Sequence, residues 1–227
     1  MALISSDKGG GSNFEPCPTG THVARCVTVV DLGFQDTTWG AKEMVYVGFE
    51  VPLVRVAWTK DDVEHEGPAI IGNRYTNSIH PDSNLGKNLI SWRGRAFTED
   101  EKAGFDLFSI LDVPCMISVV HNIKGEKTYA NIASIMGVPK GMIATDRETD
   151  ILAYTPQDAA KAGNFDKMPE WLQKLCTEGH RMKDSPNEYK SDGGFDDDIP
   201  FAFILPTAYG AMYAAQEMLQ VSSNFIA

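Results

Sequence analysis

Between Arg74 and Glu101 the chain reads RYTNSIHPDSNLGKNLISWRGRAFTEDE, a segment in which cations alternate with aromatic rings. Over residues 72–97, Arg74, Lys87, Arg93 and Arg95 stand against only Asp82, a local charge of +3. Tyr75, Trp92 and Phe97 lie among them. Such a mixture suits a single strand of nucleic acid. The cations follow the phosphates, and ring faces stack on bases of any identity at about 1–3 kcal/mol each. The same residues also suit a plainer arrangement, with Trp92 and Phe97 in a core and the arginines on a solvated surface.

Three other groups have chemistry to offer. Phe34 and Trp39 stand in LGFQDTTWGAK, a connection that gives its aromatics no obvious core partner, and Lys124, Lys127 and Tyr129 flank the tight turn in IKGEKTY. In FDDDIPF, clustered acids are followed by an apolar hook, so that Phe195, Asp196, Asp197, Asp198, Ile199, Pro200 and Phe201 suit a portable docking peptide: the acids steer to a basic groove and Ile and Phe fill its pocket. Cys17, His22 and Cys26 have ligand-like spacing, but no fourth ligand follows at a zinc-finger distance. No GxxxxGK[ST], HExxH or GxSxG occurs, and the acids at 82 and 99–101, which would have to serve a nuclease, fall in a turn, a capping box and a helix surface. The expectation is a chain that is not an enzyme and takes no cofactor or metal.

The elements that must hold these groups are mostly strands. HVARCVTVVD at 22–31 and EMVYVGFEV at 43–51 are rich in β-branched residues or alternate as half-buried strands do, and VRVAW at 54–58 extends the second. AIIGNRYTNSI at 69–79 reads as a third strand with Gly72 as a bulge. Ser83 is an N-cap for a short helix whose Leu85, Leu89 and Trp92 share one face, which also puts Trp92 on the side that helices bury. Thr98 and Glu101 form a capping box for a second helix. CMISVVHN at 115–122 and TYANIASIM at 128–136 close the series as a hairpin. Three strands, helix, two strands is the order of a five-stranded Greek-key OB barrel, although periodicity alone leaves other small barrels open.

Around that block, residues 1–14 form a flexible Gly/Ser arm and 15–155 the barrel domain. Residues 156–194 hold a short helix, PEWLQKLC, and a polar linker from 180, and 195–227 hold the acidic motif and a C-terminal extension. The whole chain of 227 residues carries 20 basic and 31 acidic side chains, net −11, which excludes a uniformly basic coat and leaves the 72–97 segment as a cationic island. The four cysteines form no CxxC pair and read as reduced cytosolic thiols. The start has no leader pattern and no run of about 18 apolar residues occurs, so the expected place is the cytoplasm, away from membranes.

The runs TGTHVARCVTVVDLG, RYTNSIHPDSNLGKNLISWRGRAFTEDE and VPCMISVVHNIKGEKTYANIASI together resemble phage-encoded single-stranded DNA-binding proteins of the OB-fold type, over roughly residues 15 to 155. FDDDIPF is similar to the acidic tail tip of bacterial single-stranded DNA-binding proteins, which docks replication and repair enzymes. Here Phe201 is followed by 26 further residues, whereas in that family the motif ends the chain. The resemblance implies a sequence-tolerant coat for unpaired DNA. Its contacts would be Trp39, Arg74, Tyr75, Lys87, Trp92, Arg93, Arg95, Lys124, Lys127 and Tyr129, with host or phage replication and recombination proteins as tail partners and self-association open. The rivals are a single-strand annealing recombinase and an adaptor that binds no DNA.

Overall fold

The apolar run CVTVV has no clean alternation, and the fold supplies the reason: its strand is covered on both faces. In the computed structural model, which describes residues 16–183 apart from 61, 62 and 126, this strand is β1 (Gly20–Thr37). Cys26 and Val29 both face one core although three residues apart, because a register shift between Cys26 and Thr28 inserts a residue; Val30 and Leu32 then face a second core.

β2 (Gly40–Lys60) and β3 (Val63–Thr76) follow, then α1 (Asn84–Arg93), α2 (Glu99–Ala103), β4 (Pro114–Lys124), β5 (Lys127–Met136), β6 (Leu152–Tyr154), α3 (Ala159–Ala162) and α4 (Glu170–Lys183). The antiparallel path is β3-β2-β1-β4-β5, and β6 lies parallel to β1. The protein is therefore mainly β, built on one curled sheet. β1 bends between two partners: residues 20–25 pair with β4, and residues 25–37 with β2. The curl brings the two ends of the path together, where Asn73 Nδ2 of β3 donates to the Ile132 carbonyl of β5 at 3.1 Å.

The first core lies inside the curl. Val45, Val47, Phe49 and Val51 of β2 alternate into it and meet Ile117, Val119, Ile132 and Ile135 from β4 and β5. α1 plugs it with Leu85, Leu89 and Trp92, on the face that the i, i+4, i+7 spacing predicts. Ser83 caps the helix by accepting from Gly86 N at 3.0 Å, and Gly94 ends it at φ 68°. The second core lies outside the curl, where Met44 and Tyr46 of β2 meet Leu152, Tyr154, Met168, Leu172 and Cys176. It joins residues on either side of position 155. α4 seats directly on β1: a Cβ on Gly179 would overlap the Leu32 carbonyl oxygen and lie 2.9 Å from that of Phe34.

Several expectations need correction. LGFQDTTWGAK is no loose connection, since its residues extend β1 and open β2 around a turn at Thr37–Gly40. Gly72 is no bulge; it pairs in register with Gly48, and its missing side chain makes room for the Tyr46 ring, whose Cζ would lie 2.6 Å from a Cβ there. Neither β6 nor the full reach of α4 was legible, and His180 to Lys183, read as the start of a linker, belong to α4. The arm at 1–14, the remaining linker, the docking motif Phe195–Phe201 and the extension to 227 lie outside the described residues. Among the described residues no helix is long and apolar enough to cross a membrane.

Candidate nucleic-acid interface

The ten candidates lie on four elements, β3, α1, β4 and β5, and in the connections at Trp39 and Arg95, and the fold sorts all but Lys124 and Lys127 into three kinds. Tyr75 and Trp92 are core. Tyr75 is 3% exposed, with its hydroxyl accepting from Asn73 and Asn88 at 3.4 Å each. Trp92 is 8% exposed, packs 5.7 Å from Phe49, and donates its Nε1 hydrogen to the Pro114 carbonyl at 2.9 Å. Neither ring has a face for a base. Burial also pushes the Tyr75 hydroxyl well above its ordinary pKa. Phe97 is buried with them, against Phe105.

Arg95 is on the surface and Arg93 half-buried, and both are engaged. Both pair with Glu101, Arg95 through a fork of 2.8 and 2.9 Å, and the Arg93 guanidinium also lies over Phe97 at 4.4 Å and Phe105 at 5.1 Å. The capping box brings Glu101 there, because the Glu101 carboxylate that accepts from Thr98 N at 2.9 Å is the one the arginines reach. The Arg95 fork, then the Thr98 bond, holds its pKa at about 2. The +3 count over 72–97 stopped short of Glu99, Asp100 and Glu101, which bring the count over 72–101 to zero.

Trp39, Arg74, Lys87 and Tyr129 remain accessible. Trp39 is 60% exposed at the β1–β2 tip, where Gly40 takes φ 94° and Thr37 Oγ1 accepts from the Trp39 amide at 3.2 Å. Lys87 is exposed on α1, and Tyr129 half-buried on β5. Lys124 and Lys127 pair across the β4–β5 turn, whose Gly125 has φ 62°, beside Ile123 at 75% exposure. Because β4 runs against β1, this turn and the Trp39 turn lie at opposite ends of β1.

Arg74 is the unusual one. It stands on the outer face of β3, directly across from Tyr46, and is half-buried. Burial lowers its pKa, and no hydrogen bond or ion pair to it is found among the described residues. A guanidinium withdrawn from water without an anion is costly, and an arriving phosphate or carboxylate relieves that cost.

Other polar groups are structural. The Glu50 carboxylate, fully buried, accepts from the amides of Glu148 at 2.8 Å and Thr149 at 2.6 Å and holds that segment across β2. Arg55 clips its edge through Glu148 at 2.7 Å. Of the zinc-like trio, His22 donates to the Pro18 carbonyl at 2.8 Å, while burial pushes the Cys17 thiol up to about 11 and also pushes the Cys26 thiol well above its ordinary value. All four cysteines are free and buried. Among the described residues no three His, Cys, Asp or Glu side chains are grouped to hold a metal.

Compared with family models, curated proteins and solved structures, the chain gives no match.

Proposed function

We propose that this protein is a single-stranded DNA-binding protein of the OB-barrel type, which coats unpaired DNA in phage replication or recombination without sequence preference and without catalysis. The sheet order β3-β2-β1-β4-β5, the helix that plugs the curl between the third and fourth strands, and the side-chain bond from β3 to β5 support the OB-barrel reading. Barrels of that kind bind oligonucleotides across the second and third strands, between the first and last hairpin turns. The observation that carries the reading is Arg74 on β3, a cation without an anion among the described residues. Trp39 supplies a ring at one end of the path, and Lys124 and Lys127 supply charge at the other. The acidic motif at 195–201 recruits or regulates protein partners.

A mobility shift with labelled oligo-dT beside the matching duplex, at two salt concentrations, tests this. Preference for the single strand that weakens as salt rises is the expected result. The pairing of Arg93 and Arg95 with Glu101 favours a second reading, an adaptor whose barrel binds protein. Equal neglect of both DNAs selects it. Acceleration of pairing between complementary strands would instead select an annealing protein.

A further inference from the structure

We infer that α4 forms one wall of the strand-binding groove, and that Trp171 of α4 and Arg74 of β3 make a single nucleotide subsite, the guanidinium taking the phosphate and the indole the base. This rests on the single-strand reading above and adds to it a residue and an element that the barrel layout does not supply.

Tyr46 links the two. It is fully buried on the outer face of β2, and Arg74 is its cross-strand partner, so their side chains leave the sheet on the same side. Tyr46 also meets Trp171 edge-on, with centroids 5.4 Å apart and planes at 79°. Gly72 lets the tyrosine lie over β3, which leaves Arg74 at the border of the second core instead of out in solvent. The position explains why Arg74 is half-buried.

Trp171 is only partly buried, unlike Trp92, and its Nε1–H has no hydrogen-bond partner among the described residues. That Nε1 is itself buried, so what the indole offers a ligand is the accessible part of its ring. Tyr46 has the Arg74 guanidinium as its cross-strand neighbour, with five donors and no anion among the described residues. A cation and a partly exposed aromatic ring, both set against one tyrosine, match a nucleotide: phosphate oxygens accept from the guanidinium, and the base stacks on the indole. α4 holds its place because Gly179 lies against β1 and Gln35 Nε2 donates to the carbonyls of Leu32 and Leu175 at 2.9 Å each. The wall is thus as fixed as the sheet it faces.

The test uses the full chain, oligo-dT, and an abasic strand of equal length that keeps the phosphates and lacks the bases. Arg74→Gln should weaken binding to both strands and lower the salt slope by about 0.7. Trp171→Phe, which keeps a ring against Tyr46, should weaken oligo-dT about 5-fold or more and leave the abasic strand and the salt slope unchanged. Thermal unfolding checks that each variant is folded. Independently of any variant, an oligonucleotide carrying iododeoxyuridine should photocrosslink to the peptide that contains Trp171. Wild-type binding that neither substitution alters, or crosslinks confined to other peptides, overturns the subsite and leaves the single-strand function standing. A wild-type chain that ignores oligo-dT overturns both.

Discussion

The outer face of β3 and the corner between α1 and α2 each present arginine, in opposite states. Arg74 is half-buried and has no anion among the described residues, while Arg93 and Arg95 share the carboxylate of Glu101. The same contrast divides the rings. Tyr75 and Trp92 are locked in the core, whereas Trp171 and Trp39 keep accessible surface. A side chain's availability depends on what folds beside it, and a cation already paired with a carboxylate must give up that pair before it can hold a phosphate. The corner at α1–α2 is therefore chiefly structural, and the face of β3 is the one poised for a ligand.

The largest effect expected from this contrast is on stability. Trp92→Ala removes a buried ring and its Nε1 bond to Pro114 and should destabilise the fold by about 3–5 kcal/mol in urea unfolding. Trp39→Ala should stay within about 0.5 kcal/mol, as surface changes do. If Trp92→Ala unfolds no more easily than Trp39→Ala, the corner is not part of the core and its cations need another explanation.

A smaller effect separates the faces through α4. Gly179→Ala places a methyl against the Leu32 carbonyl and should cost about 1–3 kcal/mol as α4 shifts on β1. Since α4 borders Arg74 through Trp171 and Tyr46, this variant should also weaken oligo-dT binding. Fluorescence anisotropy on protein shown to be folded reads the effect. Unchanged affinity would detach the two faces from each other. Smaller again is Arg95→Ala, which removes a cation that Glu101 already balances and should leave the salt slope of binding within error, against the fall of about 0.7 expected for Arg74. A matching fall for Arg95 would erase the contrast.

Local chemistry was legible in the sequence and long-range company was not. Ser83, Thr98 with Glu101, and the Leu85–Leu89–Trp92 face could be read because caps and helical spacing are written within a few residues. The five strands along the main path could be read for the same reason. The outer core was hidden because it is assembled from Val30, Tyr46, Tyr154 and Leu172, which no short window contains, and because β6 has only three residues. Trp171 was passed over as part of an ordinary short helix, since its significance comes from Tyr46 on β2. Gly72 was misread because glycine in a strand signals either a bulge or a close neighbour, and only the Tyr46 ring decides between them. Glu101 was seen as a cap and not as a counter-ion, although the two roles use the same carboxylate.

That double role gives the smallest and sharpest test of the contrast. The Arg95 fork, the Thr98 amide and Arg93 hold the Glu101 pKa at about 2, below its ordinary value of 4.5. A depressed carboxylate stabilises the fold at pH values above its unfolded pKa, and the contribution is lost as pH falls through the folded value. The stability of the wild-type protein should therefore decline between about pH 4.5 and 2 in part because Glu101 takes a proton, and Glu101→Gln should flatten that portion of the acid limb. Glutamine keeps an oxygen for the Thr98 amide, so the cap survives and only the charge is lost. At neutral pH and low salt the same substitution leaves Arg93 and Arg95 without their anion, and oligo-dT should bind more tightly with a steeper salt slope. A flattened acid limb with unchanged binding would mean that the corner lies off the path of the strand even when its arginines are released. An unaltered acid limb would mean that the pairs are open in solution, and the difference between this corner and Arg74 would vanish.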